Sequence, residues 1–147
     1  MKIREIAETK RKAKEWFASY TADYDMEDPK IALKAVHTYH VAELCQTIAE
    51  SLALNEVECM AAWLSGLLHD VGRFEQIRRF NTFSDADSID HALLSTEILF
   101  GTKEDASCGR IRQVILDPSW DIYLYKAIKY HSAYRLPPDL SEMEKTY

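Results

Sequence analysis

Five histidines, His37, His40, His69, His91 and His131, are the residues of this 147-residue chain whose type and spacing can do chemistry. At about 100° per helical residue, His37 falls within about 40° of Leu33, Val41, Leu44 and Ile48. It is therefore expected in the middle of an apolar stripe, with His40 at the stripe's edge. By the same arithmetic His91 shares a face with Leu94, Ser95 and Ile98, and His131 with Leu124, Ala127 and Ile128. His69-Asp70 closes Met60–Leu68, the longest apolar stretch. A lone inward histidine is usually a hydrogen-bonded core residue. Four inward imidazoles and an adjacent carboxylate in one small chain are another matter. Each neutral ring carries an acceptor that must be satisfied, and a divalent cation satisfies all of them at once. Mixed His and Asp ligation suits Zn, Mn, Fe or Co.

Helices are the elements that must aim these side chains. The chain has four Gly and four Pro, where average usage would give roughly 18 together. That scarcity excludes a β-sandwich or small barrel, which needs frequent turn residues, and disorder and collagen with it. The expected class is all-α. A first helix spans about Lys2 to Tyr20, with Ile3, Ile6, Ala13, Trp16, Phe17 and Tyr20 on one side. Asp28-Pro29, an N-cap followed by Pro at N1, opens a second helix to about Leu54. Its expected core stripe is Leu33, His37, Val41, Leu44, Ile48 and Leu52. Asn55 with Glu58 spells a capping box for a third helix, apolar nearly all round and so central, which Gly72 is placed to stop. A short helical piece, Phe74 to Phe80, leads to a polar loop, Asn81 to Ser88. Further helices run from Ile89 to before Gly101 and from Arg110 to Leu116. Another runs from Asp117-Pro118 through His131. Pro137-Pro138 breaks the chain, and Ser141–Glu144 spells one more capping box, three residues before Tyr147.

Charge and cysteine narrow the setting. Eighteen basic against twenty-four acidic residues give −6, which argues against a broad nucleic-acid footprint. Cys45, Cys59 and Cys108 are an odd set without a C-x-x-C pair, the pattern of free thiols in a reducing compartment. The N-terminus carries no apolar signal region, and Met60–Leu68 is too short to span a bilayer. The expectation is a cytoplasmic protein with no membrane partner, one domain over residues 1–147, its oligomeric state open.

In this order the residues resemble a family. His37-Thr38-Tyr39-His40-Val41, Leu67-Leu68-His69-Asp70-Val71-Gly72-Arg73, Asp90-His91-Ala92 and Tyr130-His131 are similar to the HD-domain metal-dependent phosphohydrolases. The resemblance covers about Ile31 to Leu136. It implies an HD-like helical bundle around one or two divalent ions (Mn, Fe, Co, Zn or Mg not distinguished). The implied activity is hydrolysis of phosphomonoester or phosphodiester bonds in a small phosphorylated, nucleotide-like substrate. It implies His37, His69 and Asp70 as metal ligands, and His91 and His131 as ligands of a second metal or contacts of the substrate phosphate. The HD-GYP signature is absent, so cyclic-di-GMP chemistry is not expected. The family's late Asp ligand has no counterpart: Asp139 sits in a Pro-Pro turn, and Asp117 and Asp121 fit the cap and first turn of their own helix. The chain is accordingly expected to be a piece of a longer one, cut before its C-terminal helix or helices.

The expected chemistry is attack on phosphorus by a metal-activated water. Asp70 would bridge ions or orient the nucleophile, and Arg73 is a candidate phosphate contact or else a solvated helix-end cation. Lys126 and Lys129 flank His131 and could add positive potential, whereas Glu75 and Glu97 read as a solvated face. No G-x-S-x-G, Walker loop or G-x-G-x-x-G offers another route. The alternatives are a non-catalytic HD-fold metal-binding or regulatory module, and a metal-free helical interaction domain.

Overall fold

The computed structural model describes residues 3–131, and among them every regular element is helical. In chain order these are α1 (Ile3–Ala22), α2 (Pro29–Ser51), α3 (Glu56–Leu68), α4 (Val71–Phe80), α5 (His91–Phe100), α6 (Ile111–Val114) and α7 (Asp121–Tyr130). Single 3-10 turns occupy Ala106–Cys108 and Pro118–Trp120. The all-α class holds. Pro137-Pro138, Asp139 and the Ser141–Glu144 box lie outside the described residues. None of the helices described is long and apolar enough to cross a membrane.

Local chemistry sets the boundaries. Asp28 accepts from the Lys30 N–H at the head of α2, with Pro29 at the first helical position. Asn55 and Glu58 form both bonds of the capping box that starts α3. Residues Cys59–Leu68 of α3 are all buried, as expected of a helix that α1, α2 and α7 all pack against. Trp63, Leu64, Leu67 and Leu68 form the core with Phe17 of α1, Phe74 of α4, and Leu124 and Ile128 of α7. Asp117 caps the 3-10 turn by accepting from Ser119, and Asp121 pairs with Arg112. Both are thus occupied locally. The helix expected from Asp117-Pro118 begins at Asp121, after that turn, and the one expected over Arg110–Leu116 is a single turn, α6.

Two expectations are corrected. Most of the expected core stripe of α2 faces outward: Leu33 is 71% exposed, Leu44 59%, Ile48 46% and Leu52 57%, while Val41 is half-buried against Cys45, Ala49, Cys59 and Ala62. The buried face is Ile31, Ala35, Thr38, Ala42, Cys45 and Ala49. Both stripes have helical period, so periodicity cannot choose between them. Close packing of α2 on α3 chooses the small one, because a Cβ on Gly66 of α3 would stand 2.8 Å from the Ala42 Cα. Gly72 does not stop a helix. It lies in the first turn of α4, where a Cβ would meet the His91 carbonyl at 2.6 Å and the Ser95 amide nitrogen at 2.7 Å. Its absent side chain is what lets α5 pack against α4.

Candidate metal centre

Four helix ends meet at one point. His69 is the C-cap of α3 and Asp70 the N-cap of α4. His91 is the first residue of α5, and His131 the C-cap of α7. An Asp at an N-cap ordinarily accepts from the first-turn amides. Asp90 does so for α5, accepting from Ala92 and Leu93 and fixing where His91 begins. Asp70 makes no such bond; its carboxylate turns inward, 8% exposed, among the imidazoles. Backbone bonds hold the ends together. The Gly72 N–H donates to Ser95 Oγ (2.8 Å), which donates to the His91 carbonyl (2.9 Å). The Tyr20 hydroxyl donates to the Val71 carbonyl (2.7 Å) and so ties α1 to the same turn.

The imidazole tautomers follow from their outer partners. His69 Nδ1 is 2.6 Å from the Gly66 carbonyl and His131 Nδ1 2.5 Å from the Ile128 carbonyl. His91 Nδ1 is 2.7 Å from Asp85 Oδ2. All three partners accept only, so each Nδ1 carries the proton and each Nε2 offers a lone pair. Those lone pairs converge on Asp70. His69 Nε2 stands 3.2 Å from Oδ2, and His91 and His131 Nε2 stand 3.4 and 3.3 Å from Oδ1. Asp70 Oδ1 is buried with no hydrogen-bond partner. Burial works against the charged form of Asp70, yet hydrogen bonds donated by the imidazoles of His131, His69 and His91 prevail and hold its carboxyl well below the usual carboxylate range, so the carboxylate calls for protons on those Nε2 atoms or for a cation in their place. Apart from the Lys34 ammonium at Oδ2, the cluster with its imidazoles neutral only accepts, which suits a cation.

The donor set fits a divalent metal. A tetrahedral ion bound at about 2.0–2.1 Å sets its ligand atoms roughly 3.4 Å apart, close to the three Asp70–imidazole separations. His91 and His131 Nε2 are 2.9 Å apart, a hydrogen-bond distance at which one of them carries a proton unless an ion lies between them. His69, Asp70 and His131 offer ligand atoms all within 4.8 Å of one another, and His91 falls in a second such group with Asp85 and Asp90. Each ring also has the outer acceptor that metal-ligating histidines normally use to fix their tautomer.

Of the residues expected from the sequence, His69, Asp70, His91 and His131 are brought together, and His37 is not. His37 and His40 are exposed on α2, and the expectation of His37 in the core stripe is overturned with that stripe. His37 lies one turn beyond Lys34, whose ammonium sits 2.8 Å from Asp70 Oδ2. Arg73 is half-buried and pairs away from the cluster's carboxylate. Its Nη1 donates to Gln76 Oε1 (2.9 Å), the Phe83 carbonyl (2.6 Å) and Asp85 Oδ1 (3.0 Å). Glu75, expected on a solvated face, is buried and paired with Arg78, while Glu97 is half-buried. Lys129 lies over the rings of Tyr125 and Tyr130. Cys45 and Cys59 are buried and Cys108 exposed, all unpaired.

Two residues emerge that sequence reasoning did not single out. Asp85 receives His91 Nδ1–H and is itself held by Arg73 and by Gln76 Nε2 (3.0 Å). Burial raises the Asp85 carboxyl, but His91 and Gln76 outweigh it and the net direction is down. Lys34 was legible only as a cation three residues before His37. Two clefts of about 470 and 670 Å³ beside α1 include no member of the cluster.

A family model described as HD domain matches residues 35–138, more than half of the chain. No curated protein and no solved structure matches it significantly. The matched span runs from α2 past α7 and contains His69, Asp70, His91 and His131 together with His37. On that match, the chain belongs to the HD-domain family.

Proposed function

We propose that the chain is a metal-dependent phosphohydrolase acting on a small phosphorylated substrate, a phosphomonoester or phosphodiester of nucleotide-like kind. One observation carries this reading: three imidazoles with Nδ1 engaged outward present bare Nε2 atoms to Asp70, whose buried Oδ1 has no hydrogen-bond partner. His69, Asp70, His91 and His131 would hold the ion, and His37 is an exposed residue of α2 one turn beyond Lys34. A divalent ion bound there supplies a water of lowered pKa and offsets charge on phosphoryl oxygens.

The chain's own residues do the positioning. Asp70 stays ionised and, at the head of α4, faces a helix N-terminus that favours negative charge. Asp85 keeps the proton of His91 on Nδ1, so Nε2 faces inward as an acceptor. Arg73 braces Asp85 and the 81–90 loop through the Phe83 carbonyl. Its action on a substrate phosphate would then be indirect.

Metal analysis of untagged protein, followed by a panel of nucleotides and a chromogenic phosphodiester with added Mn²⁺, tests the proposal. Stoichiometric divalent metal is expected, with hydrolysis that disappears in His69→Ala and Asp70→Ala. Unchanged activity in both variants sinks the site assignment. Metal without turnover of any substrate in the panel favours the non-catalytic module instead.

A further inference from the structure

We propose that Lys34 is the residue that meets the substrate's phosphoryl group, and that it neutralises Asp70 until the metal arrives. The inference rests on the metal-dependent reading above and adds a residue just outside the matched span.

Among the described residues, Lys34 is the lysine or arginine that pairs with Asp70, its Nζ 2.8 Å from Oδ2. Its ammonium lies at 5.7 Å from the centre of the Phe83 ring, and its side chain is 16% exposed. It therefore has one side on the cluster and one on solvent. The other cation near the cluster, Arg73, has its Nη1 committed to Gln76, Phe83 and Asp85.

The Asp70 carboxylate is buried, and a carboxylate in such a place needs positive charge beside it. Lys34 supplies that charge from α2. A divalent ion taken up by Asp70 and the imidazoles replaces it, and the ammonium then faces a like charge. Its four-carbon stem and three rotatable donors let it turn without backbone movement. An anionic oxygen arriving at the centre is the partner it gains. A chain of net charge −6 repels anions at long range, so a local cation at the rim matters for holding one.

The test uses the full chain and the variants Lys34→Met, Lys34→Gln and Lys34→Arg, with folding checked by circular dichroism. Calorimetric titration gives the Kd for Mn²⁺, then the Kd of the Mn²⁺-loaded protein for inorganic phosphate. Lys34→Met and Lys34→Gln are expected to bind Mn²⁺ as tightly as the wild type or more tightly, because the competing ammonium is gone. Phosphate binding should weaken roughly 10-fold or more in both, the size of one charge-assisted hydrogen bond, with Lys34→Arg recovering most of it. Unchanged phosphate affinity, or weakened Mn²⁺ binding, in Lys34→Gln overturns the role of Lys34 while leaving the metal reading intact. Failure of the wild type to bind Mn²⁺, or any divalent ion, overturns both.

Discussion

At the residue scale, the centre works by dividing the labour of each imidazole. Nδ1 is spent on an outer acceptor so that Nε2 is free, and for His91 that acceptor is a carboxylate. Asp85→Asn keeps the shape but presents an amide that can donate to His91 Nδ1 and reverse its tautomer. Metal affinity measured by titration is expected to fall about 10–100-fold, the usual cost of losing an outer partner. Protons compete for the same Nε2 atoms, so affinity should also fall on acidification. Asp70 and Asp85 both titrate below the ordinary carboxylate range in the fold. The unfolded chain therefore takes up protons first, near about pH 4. The stability these two groups contribute is present above that range and lost as pH falls toward their lowered values. The urea midpoint of the metal-free protein is expected to drop between about pH 5 and about pH 3, and to drop less in Asp85→Asn.

At the element scale, the centre depends on helix ends more than on helix faces. α3, α4, α5 and α7 each contribute one terminus, and the close approach of α4 to α5 keeps two of them in register. Gly72→Ala places a methyl 2.6 Å from the His91 carbonyl and 2.7 Å from both Ser95 N and Oγ. Two of these three atoms are α5 backbone, which cannot turn aside as a side chain can. The expected cost is about 1–3 kcal/mol by chemical denaturation, as for overpacking in a core. Metal affinity should fall with it, since α5 carries His91. Wild-type affinity in Gly72→Ala would mean that the helix contact and the centre are uncoupled.

At the scale of the whole molecule, stability concentrates where α3 is surrounded. Leu64 is fully buried and Leu44 of α2 is 59% exposed, although both are leucines on long apolar helices. Leu64→Ala is expected to cost about 2–5 kcal/mol through lost burial and the cavity left behind. Leu44→Ser should stay within about 0.5 kcal/mol, as at surface positions. Thermal and urea unfolding of the two variants side by side measures the contrast. A large loss in Leu44→Ser would show that the outward face of α2 is covered in solution.

The amino-acid order alone determined the helical class, most helix starts and four of the residues that converge. These depend on short-range chemistry: scarce Gly and Pro, Asx caps and capping boxes, and the His69-Asp70 step at the end of a helix that is apolar nearly all round. Only the tertiary structure decided which side of α2 is buried, because two stripes share one period and the choice depends on how closely another helix can approach. It also decided that Gly72 makes room for α5, that Asp85 holds His91 and that Lys34 reaches Asp70. Lys34 and Asp70 are thirty-six residues apart in the chain, and nothing local to either signals the pair. Contacts of that kind arise from packing between helices, which composition and periodicity do not encode.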